Sequence, residues 1–269
     1  MARDPYQLAQ GAAAAYERQK VVAIFRPLAE ATLAAVEISP DDAVLDVACG
    51  TGIVSRVLHE RLAPKAAITG IDLNEGMIEM ARAVTEDRRD AFRWRVGDVT
   101  RMPFEAGAFS VALCQQGLQF FPDEGAAVQE MRRVLRPGGR IVITIWSGAP
   151  RFFTALAEAI ARHVSPEEAA RSLAPFAYSG LDAVPDLLRA SSFAEVQTRD
   201  LTIDRVIREP ETSIPLEIRS NPVGPAVSAR GEDVMAHIVA DVLSSCADLM
   251  RGGDLVSPQT SRLFTAVAA

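Results

Sequence analysis

Residues 44–55 read V-L-D-V-A-C-G-T-G-I-V-S, and this stretch decides the fold. Apart from Asp46, it opens with a continuous apolar run, which is typical of a strand that is buried on both faces. The chain then turns at Gly50-Thr51-Gly52, where the lack of a Cβ allows a tight turn, and enters a helical pattern. A strand, a glycine turn and a helix within about a dozen residues predict the first half of a nucleotide-binding βαβ unit.

A second acidic residue follows the next predicted strand, residues 66–71. Asp72 stands 20 residues after Gly52. An acid at this place in a βαβ unit accepts hydrogen bonds from the two hydroxyl groups of a ribose. The glycine turn and the distal acid therefore predict a ligand that contains a nucleoside.

The composition narrows the class of protein. The chain has 269 residues, of which 49% are hydrophobic, enough for one large α/β domain with a small cap. The formal net charge of −7 argues against a nucleic-acid partner, because phosphate binding needs a concentrated basic surface. No apolar run predicts a membrane span, and the first residues do not predict a signal peptide.

The cysteines give no sign of a metal site or of disulfides. Cys49, Cys114 and Cys246 are odd in number, and no two of them have the spacing of a metal-binding pair. We therefore predict no metal and a cytoplasmic location.

Strands and helices alternate through the first 146 residues, which predicts a parallel, doubly wound sheet. Residues 5–37 have helical periodicity, and Pro27 is expected near the start of a second helix. After Asp72 the predicted helices are 75–84 and 124–134, and the predicted strands are 91–96, 109–114 and 140–146.

The remaining residues, 147–269, show a weaker pattern. Residues 210–230 hold four prolines and are predicted to be a loop or insertion. The other predicted elements are helices at 150–163, 166–173, 181–191 and 232–250, and strands at 196–207 and 262–267.

Four motifs occur in order along the chain: V-L-D-V-A-C-G-T-G (44–52), G-I-D-L-N-E-G-M-I (70–78), G-D-V-T-R-M-P-F (97–104) and R-V-L-R-P-G-G-R (133–140). With them the chain resembles the class I S-adenosylmethionine-dependent methyltransferases. Specifically, it resembles the branch that includes the menaquinone and ubiquinone C-methyltransferases and many small-molecule methyltransferases. The motifs cover residues 40–146, and together they are specific although each alone is weak.

The resemblance implies a Rossmann-like, seven-stranded sheet of order 3-2-1-4-5-7-6 within a single domain, residues 1–269. Residues 1–40 would form N-terminal helices, 41–146 the cofactor-binding core and 147–269 the substrate-side half. The last strand would enter antiparallel between strands five and six. The helical insertion near 210–250 would be a cap or a homodimer contact.

The resemblance also implies a role for individual residues. Asp72 would hold both ribose hydroxyls, and Asp98 would accept the adenine amino group unless it only forms the turn after Gly97. Gln115 and Gln116 would lie where the methyl group meets its acceptor, with Gln115 also beside the cofactor. The remaining cofactor contacts would be Asp46, Ala48, Gly50, Gly52, Leu73, Met77 and Val99.

One histidine is a candidate general base. His163 follows Phe152, Leu156 and Ile160 at helical spacing, so it projects with an apolar face. In the resembled family a helix at this place commonly covers the substrate pocket. A purely structural His163 is the alternative, and a base is needed only if the acceptor is protonated at the working pH.

The expected activity is the in-line transfer of a methyl group from S-adenosylmethionine to carbon, oxygen or nitrogen of a small, apolar or aromatic acceptor. An NAD-dependent oxidoreductase is one alternative, because it shares the glycine turn and the distal acid. Ser55 replaces the third glycine of that fingerprint, which favours methyl transfer. A cofactor-binding protein without transferase activity is the other alternative, because fold does not determine function.

Overall fold

The computed structural model describes residues 12–269, and a sheet runs through this part of the chain. Its strands are β1 (Val44–Val47), β2 (Ile68–Asp72), β3 (Phe92–Val96), β4 (Phe109–Gln115), β5 (Leu135–Trp146), β6 (Phe193–Ile207), β7 (Met250–Arg251) and β8 (Asp254–Ala268). Within these residues they form one eight-stranded sheet of order β3-β2-β1-β4-β5-β8-β6, with the two-residue β7 paired to β8. The predicted α/β class and Rossmann-like order are confirmed, and β7 is the addition to the seven predicted strands.

The first five strands run parallel to their neighbours, as predicted. The last strand, β8, lies between β5 and β6. The hydroxyls of Thr202 and Thr260 form a hydrogen bond, and Arg262 donates to Asp200. Residue numbers therefore fall along β8 as they rise along β6. These contacts show that β8 is antiparallel to β6.

The helices flank the sheet in sequence. They are α1 (Ala12–Tyr16), α2 (Arg26–Ala34), α3 (Ile53–Leu62), α4 (Glu75–Val84), α5 (Glu124–Val134), α6 (Arg151–His163), α7 (Pro166–Leu173), α8 (Val184–Ala190), α9 (Pro210–Arg219), α10 (Gly224–Ser228) and α11 (Glu232–Ser245). A π-helical segment, Glu17–Phe25, joins α1 to α2, and Pro27 lies in the first turn of α2 as predicted. The prediction for residues 5–11 lies outside the described residues.

Residues 210–230 form α9 and α10, so the loop alternative for this stretch is wrong and the stretch is helical, as expected for the insertion near 210–250. Pro210 and Pro225 stand in the first turns of these helices, where the missing N–H of proline costs no intrahelical bond. Two neighbouring bounds also differ: α11 ends at Ser245 rather than at residue 250, and β8 begins at Asp254 rather than at residue 262.

The chain divides into two compact units. The first unit comprises the chain up to Ile145, Gly180–Leu201 and Ser261–Ala269, and it contains all four motifs. The second unit comprises Trp146–Ser179 and Thr202–Thr260. Each unit has its own buried apolar cluster. The single domain over residues 1–269 stays a prediction.

In the first unit, Trp94 of β3 packs against two glycines. A Cβ on Gly70 would lie 2.3 Å from the Trp94 ring, and one on Gly52 would lie 2.2 Å from it. The indole nitrogen of Trp94 donates to Thr85 Oγ1 at 3.0 Å, which fixes the ring. The glycine in β2 and the second glycine of the turn are therefore required by this side chain.

We expect Gly70→Ala to lower the free energy of unfolding by about 1–3 kcal/mol, because the added methyl group overlaps the Trp94 ring. Urea unfolding followed by circular dichroism measures the change. Gly125→Ala is the matched control, because its Cβ would make an ordinary 3.4 Å contact with Asp123 in the first turn of α5. Equal stability of both variants would contradict the packing of Trp94 on Gly70.

Candidate active site

The predicted cofactor residues converge on one edge of the sheet in the first unit. Because β1 to β4 are parallel, their carboxyl ends meet at this edge. Four short segments lie at those ends: 48–52 follows β1, 72–73 begins with the last residue of β2, 97–99 follows β3, and 115–116 begins with the last residue of β4. Ligands of open α/β sheets bind at such an edge.

The turn after β1 has an unusual backbone. Ala48, Gly50 and Gly52 have φ values of +52°, +56° and +79°. The left-handed conformation is easy for glycine but strained for Ala48, and such strain concentrates at functional sites. Among the described residues, a Cβ on Gly50 would meet only the Tyr16 hydroxyl, at 4.0 Å. A ligand can therefore approach the backbone of the turn closely.

Asp72 ties this turn to the end of β2. One carboxylate oxygen accepts from the Gly50 N–H at 2.8 Å, and the other accepts from the Asn74 N–H at 2.8 Å. Burial raises the pKa of Asp72, and the two backbone donors oppose that rise. Each carboxylate oxygen has more than one lone pair, so Asp72 retains capacity to accept from the hydroxyls of a ligand.

Apolar side chains flank Asp72 and are open to solvent. Leu73 is 55% exposed and Val96 is 44% exposed, and Val96 pairs directly with Asp72 in the sheet register. Met77 lies buried in the first turn of α4, which Asn74 caps by accepting from the Met77 N–H. Val99 is partly buried. This apolar surface beside a carboxylate fits the flat ring and the ribose of a nucleoside, and Val96 is a member that the sequence analysis missed.

Asp98 shapes the loop after β3. Its Oδ1 accepts from both the N–H and the hydroxyl of Thr100, each at 2.8 Å, and the side chain is exposed. This bonding confirms the turn-forming role. The contact of Asp98 with adenine stays a prediction.

A pair on α5 holds the same loop further along. Arg133 donates to the Phe104 carbonyl at 2.8 Å, and Glu130 accepts from the Met102 N–H at 2.7 Å. Arg133 and Glu130 also bond to each other at 2.7 Å, which lowers the pKa of Glu130. The first arginine of the fourth motif therefore fixes the end of the third motif, a link between distant segments that sequence periodicity does not reveal.

Asp46 is buried beneath the turn. It is 1% exposed, and its Oδ2 accepts from the hydroxyl and the N–H of Ser55, at 2.7 and 3.2 Å. Within residues 12–269, its Oδ1 has no hydrogen-bond partner. Burial raises the pKa of Asp46 from its usual 3.8 to about 7. Ser55, noted in the sequence only as a missing glycine, secures the start of α3 to β1.

Gln115 ends β4 and Gln116 follows it, and in each side chain the amide nitrogen is bonded while the amide oxygen is not. Gln115 Nε2 donates to the Phe25 carbonyl at 3.1 Å, and Gln116 Nε2 donates to the Ser261 hydroxyl at 3.0 Å. Neither side-chain oxygen has a partner in the part of the chain that the structure describes. Gln116 also has φ of +58°. The amide oxygens are therefore oriented acceptors at the end of β4.

The end of α1 and the segment Glu17–Phe25 contact the turn and α3. Tyr16 stacks on Phe25 with 5.2 Å between ring centroids, and Glu17 pairs with Arg56 of α3 at 2.7 Å. Burial, with the negative charge of Asp72 as a smaller cause, raises the pKa of the Tyr16 phenol. The sequence analysis left Tyr16 open between ligand contact and packing, and its hydroxyl lies beside Gly50.

His163 belongs to the second unit. Its Nε2 lies 2.8 Å from Asp241 Oδ2, and its ring stacks on His237 with 5.7 Å between centroids. The bond to His163 lowers the pKa of Asp241, and Arg162 adds to that effect. The described contacts of His163 are thus with α11, and a catalytic role for it stays a prediction.

All three cysteines are buried thiols. Burial raises the pKa of Cys114 to about 12 and that of Cys49 well above its ordinary value, so both are protonated at neutral pH. In the described chain, no group of three or more histidine, cysteine and acidic side chains is arranged to hold a metal ion. No helix among residues 12–269 has the length and apolar character needed to cross a membrane.

We expect the stability contributed by Asp46 to fall as the pH rises from about 4 to about 7. The folded chain keeps the Asp46 proton in this range while the unfolded chain releases it, so raising the pH favours unfolding. The effect is on the order of 4 kcal/mol. Urea unfolding at several pH values should show that Asp46→Asn gains stability over wild type as the pH rises.

Asp41→Asn is the control, because Asp41 is an exposed residue in the turn before β1. Its unfolding curve should follow wild type at every pH. Parallel pH dependence of Asp46→Asn and wild type would show that Asp46 is ionised in the folded chain.

Comparison with known proteins places the chain in a family. A family model described as a methyltransferase domain matches residues 45–143. Nocamycin O-methyltransferase of Saccharothrix syringae is 34% identical over 204 residues, which are 70% of this chain and 71% of that protein. Demethylmenaquinone methyltransferase of Lactococcus lactis is 37% identical over 100 residues, 37% of this chain and 40% of that protein. The chain thus aligns with less than half of the second relative.

A solved structure agrees at the level of the fold. Phosphoethanolamine N-methyltransferase 2 of Haemonchus contortus, in complex with phosphomonomethylethanolamine and S-adenosylhomocysteine, has a TM-score of 0.55 and 19% identity. The match covers 90% of this chain and 52% of that chain. From the four motifs, the sheet order and the extent of the match to nocamycin O-methyltransferase, the chain belongs to the class I S-adenosylmethionine-dependent methyltransferases.

Proposed function

We propose that the chain transfers a methyl group from S-adenosylmethionine to a small, apolar or aromatic acceptor by in-line displacement. The observation that carries the proposal is the Asp72 carboxylate, which is held beside the open glycine turn and flanked by the exposed Leu73 and Val96. Membership in the methyltransferase family leaves the oxidoreductase alternative without support.

The cofactor, when bound, supplies an activated methyl group on a sulfonium, and the protein has to bind and align the reactants. Asp72 would accept from the ribose hydroxyls, and Leu73, Met77, Val96 and Val99 would contact the adenine. Asp98 would reach the adenine amino group from its loop. The backbone at Ala48, Gly50 and Gly52 would receive the methionine part, above Asp46.

The side chains after β4 would align the acceptor. The oxygens of Gln115 and Gln116 are buried and unpaired within residues 12–269, so they can accept from a donor on the cofactor or the acceptor. Tyr16 and Phe25 would exclude water from the turn. Holding the reacting atoms in line can lower the barrier by about 7–11 kcal/mol, so the chain needs few chemically reactive groups.

Oxygen is the acceptor atom that we favour among carbon, oxygen and nitrogen. The support is the similarity to nocamycin O-methyltransferase, which aligns over most of both chains. A hydroxyl or acid acceptor carries a proton at low enough pH, and a base then assists the transfer. His163 remains the candidate base, with Asp241 to hold its ring in one orientation.

A cofactor-binding protein without transferase activity is the other hypothesis. It predicts that S-adenosylhomocysteine binds while no acceptor in a broad panel of phenols, carboxylic acids and amines is methylated. Detection of the methylated product by mass spectrometry separates the two hypotheses.

We expect Asp72→Asn to bind S-adenosylhomocysteine about 10-fold to 100-fold more weakly than wild type, because charge-assisted hydrogen bonds to the ribose are lost. Titration calorimetry measures the affinity. Asp123→Asn is the matched control, because Asp123 is an exposed aspartate that accepts from the Ala126 N–H at the start of α5. Unchanged affinity in Asp72→Asn would remove the ribose assignment.

We expect His163→Gln to lower turnover about 100-fold with a protonated oxygen acceptor and to leave the affinity for S-adenosylhomocysteine unchanged. The dependence of kcat/KM on pH should lose its rising limb, which a structural histidine would not cause. His59→Gln on α3 is the control and should keep both the rate and the limb. Wild-type kinetics in His163→Gln would leave His163 as a structural partner of Asp241.

A further inference from the structure

Three polar side chains are buried on one face of the sheet within the second unit. Arg205 of β6 is 3% exposed, and Ser257 and Gln259 of β8 are 0% and 1% exposed. The antiparallel register set by the bond between Thr202 and Thr260 places Arg205 across from Ser257, with Gln259 one pair further along the same face.

These side chains have more hydrogen-bonding atoms than partners. Within residues 12–269, no partner is found for Arg205 Nε and Nη1, Ser257 Oγ, or Gln259 Nε2 and Oε1. Buried polar atoms are almost always paired, so five such atoms on adjacent strands call for an explanation. Four of them can donate, and Gln259 Oε1 accepts only. A group rich in acceptors would therefore satisfy four of these five atoms.

The surroundings of Arg205 define the rest of the site. Its Nη2 donates to Glu217 Oε2 at 2.7 Å, and its guanidinium lies over the rings of Phe152 and Phe153, 5.3 and 4.9 Å from their centroids. Phe176 packs on Phe153 at 4.7 Å. Glu217 and the rings hold the guanidinium in place, and the aromatic side chains are suited to contact the apolar body of a ligand.

We propose that Arg205, Ser257 and Gln259 bind the carboxylate of an aromatic small molecule. The carboxylate accepts from Arg205 and from the side-chain donors of the other two residues, and its ring packs on the phenylalanines. A carboxylate fits the four donor atoms because it offers acceptors and takes charge-assisted bonds from arginine. The inference rests on the proposed function in one respect, since the bound molecule is taken to be the methyl acceptor.

The test measures thermal unfolding of the full chain with each of three carboxylates and its uncharged amide: benzoate, 4-hydroxybenzoate and 2-naphthoate. At saturation, at least one carboxylate should raise the melting temperature by about 5 °C or more, and its amide should not. Arg205→Met should abolish the rise. Arg199→Met is the control, an exposed arginine on the same strand, and should retain it.

A second variant covers the case in which Arg205→Met fails to fold because Glu217 loses its buried partner. Gln259→Met removes only atoms without a partner in the described chain, so it should melt at or above the wild-type temperature. It should nevertheless bind the carboxylate at least 10-fold more weakly. Undiminished binding by this variant would overturn the proposal.

S-adenosylhomocysteine in separate wells distinguishes the inference from the proposed function. If S-adenosylhomocysteine raises the melting temperature and none of the three carboxylates does, the proposed site at Arg205 is overturned and the proposed function is not. If a carboxylate raises the melting temperature of wild type but not of Arg205→Met or Gln259→Met, the result supports the site. If the melting temperature then does not respond to S-adenosylhomocysteine, the proposed function alone is overturned. Equal increases in melting temperature with the carboxylates and their amides would overturn the assignment of a carboxylate as the bound group.

Discussion

The site depends on one carboxylate that is shared between three segments. Asp72 closes β2, accepts from the turn after β1 through Gly50, and accepts from the start of α4 through Asn74. Because both oxygens are engaged by backbone donors, the carboxylate has a defined orientation before any ligand binds. The distance between the first two motifs is set by these bonds, and preorganisation of this kind lowers the cost of binding.

The sequence predicted the sheet well because buried parallel strands and glycine turns have local signatures. The positions of Gly50, Asp72 and Asp98 followed from them. Ser55, Val96 and Arg133 were missed, since their roles arise from contacts between segments that periodicity cannot pair. The prolines at 210–230 left a loop open as an alternative, because proline is common both in loops and in the first turn of a helix.

Each unit contains a buried charge-bearing group whose hydrogen bonds are incomplete among the described residues. Asp46 in the first unit leaves Oδ1 without a partner, and Arg205 in the second leaves Nε and Nη1. Such groups reduce stability, and proteins retain them where function requires a preformed polar surface. A more stable sequence for this fold would replace Asp46, and would replace Arg205 together with its buried partner Glu217.

The chain also carries one intrinsic optical reporter in each unit. The chain has two tryptophans. Trp94 lies against the glycine turn, and the Trp146 ring centroid lies 6.0 Å from that of Phe176 in the second unit. Indole emission responds to changes in the surrounding polarity and packing. Replacing one tryptophan leaves a single emitter. Structural changes at the glycine turn and beside Phe176 can therefore be followed separately in the unlabelled protein.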